Sequence, residues 1–358
     1  MAQHAAQSDL VDELLDGKHR ALARVITKIE NRSPGYREIV SALHEHTGDA
    51  EVIGITGSPG AGKSTLVDKL AAAYREAGLT VGIIAVDPSS PFTGGAVLGD
   101  RIRMASNVGD MDVFFRSMSA RGQLGGLSTA TADAVKALDA FGKDKVIIET
   151  VGAGQNEVDI VRTADTVTVL VQPGSGDDVQ MLKAGILEIG DVFVVNKADM
   201  PSADRTVAEL EEMIHMRDDP TAMLDLGHHG FEEPEVAGNG EREDGDDNET
   251  GTERWTPQVV TTVAKDGEGV ATLIETLDDH YAYLESTGRL DAKARMRYAE
   301  EIRQLLREDT AGLLERELDR RGGVEGYAAA VHDRETDPYT VVDDLIQPLR
   351  DCLDEQRE

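Results

Sequence analysis

The octapeptide Gly57-Ser58-Pro59-Gly60-Ala61-Gly62-Lys63-Ser64 fits the pattern G-x-x-x-x-G-K-[ST]. Its glycines let successive backbone N–H groups turn inward and cradle a phosphate chain at a helix N-terminus. Lys63 would reach the β- and γ-phosphates, the Ser64 hydroxyl would ligate Mg²⁺, and Thr65 follows in the same turn. An ordinary glycine turn between strand and helix has no need of Lys-Ser at its end. The octapeptide sits between a β-branched run and the helical stretch TLVDKLAAAYREAG, so a nucleoside triphosphate is expected here. Asn196-Lys197-Ala198-Asp199, about 130 residues further on, fits N-K-x-D. A carboxylate at its last position accepts both guanine N1–H and the exocyclic amino group, a donor pair that adenine lacks. The expected nucleotide is therefore GTP or GDP. Val263, Ala264 and Lys265, after the sixth apolar run, fall where a last base-contacting loop belongs.

Catalysis needs acids and mobile segments around those phosphates. Glu149-Thr150-Val151-Gly152 closes an apolar run where G-proteins carry D-x-x-G. A carboxylate there can hold Mg²⁺ through water, and the Gly152 N–H can sense the γ-phosphate. Asp87, closing the second run, is another candidate for the Mg²⁺ shell, because strand-end acids in α/β sheets face the ligand crevice. Read bare, Glu149 also fits an ordinary strand-end acid. The glycine-rich segments 91–101 and 121–127 suit either mobile loops or long connections.

Positioning these groups requires a sheet. The runs VIGIT (52–56), VGIIAV (81–86), VIIET (146–150), VTVLV (167–171), VFVVN (192–196) and QVVTT (258–262) alternate with helical stretches. Apolar runs of this kind, buried on both faces, specify a mainly parallel α/β sheet. The fold class expected is α/β: a P-loop NTPase G-domain flanked by N-terminal and C-terminal α-helical extensions. Residues 1–46 read as one or two amphipathic helices, 47–285 as the GTPase domain, and 286–358 as a C-terminal helical arm. An apolar stripe at Tyr298, Ile302, Leu305, Leu306, Leu313, Leu314 and Leu318 ends at Gly322–Gly323, and a further helix follows DPYT (337–340). That stripe suits either intrachain packing or a dimer arm. Residues 231–254 hold ten acids and almost nothing apolar, the composition of a disordered loop.

Composition narrows the partners. The 358 residues carry a net charge of −32, spread along the chain, with 14 aromatics and a single cysteine, Cys352. Such a surface repels nucleic acid and anionic lipid, and one cysteine excludes an intramolecular disulfide framework. No apolar run approaches the ~18 residues of a membrane span, and the N-terminus lacks a signal-peptide pattern. A cytoplasmic protein without nucleic-acid or membrane partners is expected. The dispersed acidity resembles that of proteins from salt-loaded cells, where salt screens self-repulsion; the alternative, one acidic partner-binding tail on an ordinary protein, would confine the excess to one block.

Beyond these local readings, DPSSPFTGGAVLGDRIRM (87–104), SMSARGQLGGLS (117–128), ETVGAGQNEVDI (149–160), PGSGDDVQMLKAGILEIGD (173–191) and NKAD (196–199) occur in order. Together with RALARVITKIEN (20–31) and TDPYTVVDDLI (336–346), they closely resemble the G-protein chaperone family associated with methylmalonyl-CoA mutase. Members of that family have also been labelled arginine/ornithine transport ATPases. The resemblance covers almost the whole chain outside 231–254. It implies a homodimeric GTPase, using its C-terminal helices as the dimer arm. The family's role is to gate adenosylcobalamin loading of an acyl-CoA mutase and to help eject damaged cofactor, with no directly bound cobalamin. It further implies that Asp87, Asp100 and Glu149 surround Mg²⁺ and nucleotide, and that Arg103 and Gln155 respond to the γ-phosphate. Asp177 and Lys183 would signal to the mutase. Turnover should be slow without a partner, since no arginine finger is identifiable.

Three rival readings stand beside this one. A nickel-inserting metallochaperone GTPase shares this branch of the fold, but its Cys/His ligands are not matched: Cys352 is remote and the pairs His44/His46 and His228/His229 suit solvated surface. A P-loop ATPase or kinase linked to basic amino-acid transport conflicts with NKAD. A non-hydrolysing GTP-binding scaffold would be separated by turnover.

Overall fold

The computed structural model describes residues 2–87, 109–119, 126–150, 163–174, 187–218 and 254–355. They form two compact units, Met1–Lys293 and Ala294–Glu358.

The first unit is built on seven parallel strands: β1 Glu51–Gly57, β2 Val81–Asp87, β3 Val113–Ser119, β4 Lys145–Thr150, β5 Thr166–Val171, β6 Val192–Asn196 and β7 Gln258–Thr262. Their order across the sheet is β3-β2-β4-β1-β5-β6-β7. Strands β1, β4, β5 and β6 are buried at every position, as their unbroken apolar runs require. On one face Ile53, Ile55, Leu170 and Val194 pack with Leu66 and Leu70 of α4 (Lys63–Glu76) and Leu273 and Leu277 of α7 (Val270–Ser286). On the other, Val52, Ile148, Val169 and Phe193 meet α5 (Gly126–Ala140) and α6 (Ala203–Asp218).

Three helices, not one or two, precede the sheet: α1 Ala2–Leu15, α2 His19–Glu30 and α3 Tyr36–Leu43. Gly17 and Gly35, at φ of 77° and 83°, turn the chain between them. Leu14, Leu22, Ile26 and Ile39 are at most 1% exposed and join the core over β1 and β4. Each such side chain contributes roughly 1.5–3 kcal/mol, so these helices belong to the same hydrophobic core as the sheet.

One strand escapes the sequence reading. β3, VFFRSMS, forms the edge beside β2 and carries a charge at its centre, Arg116. That guanidinium is paired with Glu30 of α2, which makes a charged strand position tolerable. The strand carrying Glu149 is therefore the fourth, and the one ending in Asn196 the sixth.

At the end of the sheet where β5 and β6 begin, His280 of α7 is 1% exposed. Its Nδ1 lies 2.8 Å from the Thr166 hydroxyl and its Nε2 3.5 Å from Asp191. Trp255 stacks edge-on against it and donates its indole N–H to the Asp191 carbonyl at 2.9 Å. The tryptophan is thus a brace on this edge. Burial pushes the His280 pKa down to about 4, against a partial opposing pull from Asp191. The unfolded imidazole binds its proton near 6.5. Stability from the neutral ring is therefore complete above pH 6.5 and drains away as pH falls toward 4, by roughly 3 kcal/mol. Urea unfolding should show about 2 kcal/mol of that loss between pH 7 and pH 5, and His280→Gln should flatten it.

In the second unit, the helix α8 (Arg289–Arg320), which starts in the first, runs on to the expected glycines, with Gly322 and Gly323 at φ of 112° and 77°. A short helix not anticipated, α9 (Gly323–His332), follows. α10 (Pro338–Glu355) starts at DPYT, where Asp337 Oδ1 accepts the Tyr339 and Thr340 N–H groups at 2.9 and 3.1 Å. Asp337 is thus the N-cap and Pro338 the first helical residue. Ile302, Leu306 and Leu313 of α8 are exposed.

Candidate functional site

β1 leaves the sheet centre at its carboxyl end and turns through residues 58–62 into α4. Gly57 has φ of 136°, and a Cβ there would fall 2.1 Å from the Leu170 carbonyl oxygen. Gly62, at 98°, would bring a Cβ within 2.3 Å of Asn196 Nδ2. Both positions therefore require glycine, the first against β5 and the second against β6. Pro59, Gly60 and Thr65 are exposed, while Ser58 and Ala61 are buried. Lys63 is 6% exposed, and its Nζ donates to the carbonyls of Gly57 and Ser58 at 2.6 and 3.0 Å. The ammonium is thereby fixed over the loop it belongs to. The buried Ser58 hydroxyl has no hydrogen-bond partner among the described residues. A phosphate oxygen supplies what such a group needs.

Ser64 lies in the first turn of α4 and Glu149 is the penultimate residue of β4, and the serine hydroxyl donates to Glu149 Oε1 at 2.6 Å. Glu149 is only 3% exposed. This pair sets an alcohol oxygen and a carboxylate oxygen side by side at the phosphate end of the loop, the donor chemistry a hard divalent cation selects. Asp87 ends β2 at the same edge of the sheet, its backbone paired with Ser119. Asp100, Arg103, Gly152, Gln155, Asp177 and Lys183, like most of 91–101 and 121–127, lie outside the described residues.

The N-K-A-D loop binds back onto the phosphate loop. Asn196, 2% exposed, donates from Nδ2 to the Ala61 carbonyl at 2.7 Å. Its Oδ1 accepts the Thr262 hydroxyl and the Ala264 N–H, both at 3.1 Å. Lys197 takes a φ of 61° and donates to the Gly60 carbonyl at 2.7 Å and to Gln172 Oε1 at 3.0 Å. Asp199 pairs with Lys265 at 2.8 Å, and that hydrogen bond holds its carboxyl below the usual carboxylate range. Asp199 therefore stays ionised and acceptor-only at neutral pH. Val263 and Ala264 are buried. Residues 57–65, 149, 196–199 and 263–265, far apart in sequence, converge on one edge of the sheet. Gln172 is the member that sequence reasoning missed: it stands at a loop start and belongs to no motif.

A phosphate loop, a guanine-type acceptor and an oxygen pair beside the serine make a nucleotide-hydrolysing centre chemically possible. Comparison with known proteins makes it specific. The sequence profile of the methylmalonyl Co-A mutase-associated GTPase MeaB matches residues 22–318. The chain belongs to the MeaB family. Among its relatives, a protein of Pyrococcus abyssi named as a putative GTPase is 45% identical, spanning 95% of this chain and 96% of its own. GTPase ArgK of Escherichia coli is 31% identical over 86% of both chains. The mouse protein named methylmalonic aciduria type A homolog, mitochondrial, is 28% identical over 83% of this chain and 68% of its own. In three dimensions the crystal structure of LAO/AO transport system kinase superposes with a TM-score of 0.63, covering 97% of this chain and 98% of that one. At 24% identity that likeness speaks for the fold alone. This MeaB-family protein is a guanine-nucleotide-binding P-loop enzyme that hydrolyses GTP. Among the described residues no helix is long and apolar enough to cross a membrane.

Proposed function

We propose that this MeaB-family GTPase is the nucleotide-driven chaperone of an adenosylcobalamin-dependent acyl-CoA mutase. In that role it gates loading of the cofactor and helps eject damaged cofactor, without binding cobalamin itself. The observation that carries this reading is the match over residues 22–318 to a family named for its association with methylmalonyl-CoA mutase. The mouse relative, named for methylmalonic aciduria, supports it.

In the proposed cycle Lys63, released from its loop carbonyls, reaches the β–γ bridge of GTP and offsets charge there as water attacks in line. Ser64 and Glu149 would hold Mg²⁺, joined by Asp87 and Asp100. The ion would supply neutralisation of the phosphate oxygens. Asp199 reads the guanine edge, while Val263, Ala264 and Lys265 close over the base. Arg103, Gln155 and the Gly152 N–H respond to the γ-phosphate, and Asp177 and Lys183 carry that state to the mutase. The helical arm, residues 286–358, joins two copies. The setting is the cytoplasm of a salt-loaded cell, in which the charge of −32 is screened.

A pull-down from native extract in molar KCl tests this, with the tagged protein held in GDP or in a non-hydrolysable GTP analogue. Capture of a cobalamin-binding mutase subunit, in a yield that depends on the nucleotide, is the expected result. Reproducible capture of a nickel enzyme or a transport component instead would overturn the mutase reading and leave the GTPase standing.

A further inference from the structure

The lysine of the N-K-A-D loop is held by a residue that no motif contains. Lys197 takes a left-handed backbone conformation, at φ of 61°, which a non-glycine residue keeps only where contacts enforce it. Two contacts fix its side chain: the Gly60 carbonyl at 2.7 Å and Gln172 Oε1 at 3.0 Å. An ammonium only donates, so the glutamine atom facing it is the carbonyl oxygen and the amide orientation is settled by chemistry. Gln172 follows directly on β5, the strand whose Leu170 carbonyl abuts Gly57. Its Oε1 also lies 4.0 Å from where a Cβ on Gly60 would stand, so the amide runs along the exposed crest of the phosphate loop.

We propose that Gln172 is a positioning residue for nucleotide retention. Acting through Lys197, it fixes the crest of the phosphate loop. Asn196 already ties the loop's inner side through the Ala61 carbonyl, at 2.7 Å. Among the described residues Gly60 has no such buried tether; its carbonyl is held by Lys197, whose chain is flexible and half-exposed. Without an acceptor at position 172 the lysine side chain gains rotamers that swing it to solvent, and the crest loosens around the phosphates. The inference rests on residues 57–65 and 196–199 forming the nucleotide site.

The test compares Gln172→Met with Gln172→Glu. Methionine keeps the length and shape of glutamine but removes the acceptor, whereas glutamate keeps an acceptor and adds charge. Release of a fluorescent GDP analogue is expected to be about five-fold faster in Gln172→Met, the loss of one half-exposed hydrogen bond to a charged donor. In GTP hydrolysis the change should fall on KM rather than kcat, because Gln172 touches no reacting atom. Gln172→Glu should restore release to within about two-fold of the unaltered protein, since it regains the bond to the ammonium. Release from Gln172→Met at the original rate would overturn the proposal. So would equally fast release from both variants, which would mean that the side chain acts by shape alone. Lys63→Ala, measured alongside, separates the levels. If it binds GDP normally, the site itself is misassigned; if it loses GDP while Gln172→Met behaves as the unaltered protein, only the role of Gln172 fails.

Discussion

Lys63→Ala is expected to weaken GTP and GDP binding by roughly 100-fold or more, the scale of losing a charge-assisted contact to a phosphate in a largely dehydrated site. The side chain is 6% exposed and its ammonium rests on two carbonyls of its own loop. Removing it takes away the ammonium that the Gly57 and Ser58 carbonyls hold beside the loop. The loop should survive the change, because its shape depends on Gly57 and Gly62 and on the Asn196 bond to Ala61. Circular dichroism should therefore be unchanged while calorimetric titration with GDP shows the loss. Lys63→Arg should not restore affinity, because a planar guanidinium cannot occupy the space of a compact ammonium between the Gly57 and Ser58 carbonyls. Unchanged affinity in Lys63→Ala would sink the phosphate-loop assignment.

The parts of this site that the sequence made legible are those whose function needs a fixed local pattern. Gly57 and Gly62 must be glycine because strand β5 and Asn196 crowd them, and Lys63-Ser64 must follow because a helix N-terminus aims at the phosphates. Five of the seven strands were visible for a similar reason: a strand buried on both faces leaves an unbroken apolar run, whereas β7, partly exposed, was visible by its β-branched residues. β3 was hidden because its charged centre, Arg116, is neutralised by Glu30 from a distant helix. Gln172 was hidden for the same physical reason, since its only distinction is the ammonium that β6 brings to it. The three-helix start was underread because Gly17 and Gly35 act through backbone conformation, which hydrophobic spacing does not report. Long-range pairing, more than propensity, marks the boundary of what could be read.

Base choice provides the sharpest expected reversal. Guanine offers two donors, N1–H and the 2-amino group, to one ionised carboxylate. Xanthine keeps the N1–H but replaces the amino group with a carbonyl oxygen. Asp199 is acceptor-only, with its carboxyl held low by Lys265. In Asp199→Asn the amide offers one acceptor and one donor, which mismatches guanine at the amino group and matches xanthine at both positions. GTP affinity should fall on the order of 100-fold and XTP affinity should rise, because a site built to hydrogen-bond one base edge rejects an edge that leaves a polar group unpaired. Asp199 and Lys265 are both well exposed, so their pairing adds little to folding and the variant should keep its fold. Neutralising Asp199 also removes the carboxylate that most raises the Lys265 pKa and leaves the ammonium paired with Asp266 at 3.7 Å. Lys265→Ala should therefore be measured beside it: a role confined to steadying Asp199 predicts a modest loss of GTP affinity and no gain for XTP. Competition of GTP, XTP and ATP for a fluorescent GDP analogue checks all of this. If Asp199→Asn left the preference for GTP over XTP unchanged, the base would have to be read elsewhere in the crevice. Asn196 and Lys197 would still brace the phosphate loop, so loss of base selectivity and loss of phosphate binding are separable, each tied to its own residues.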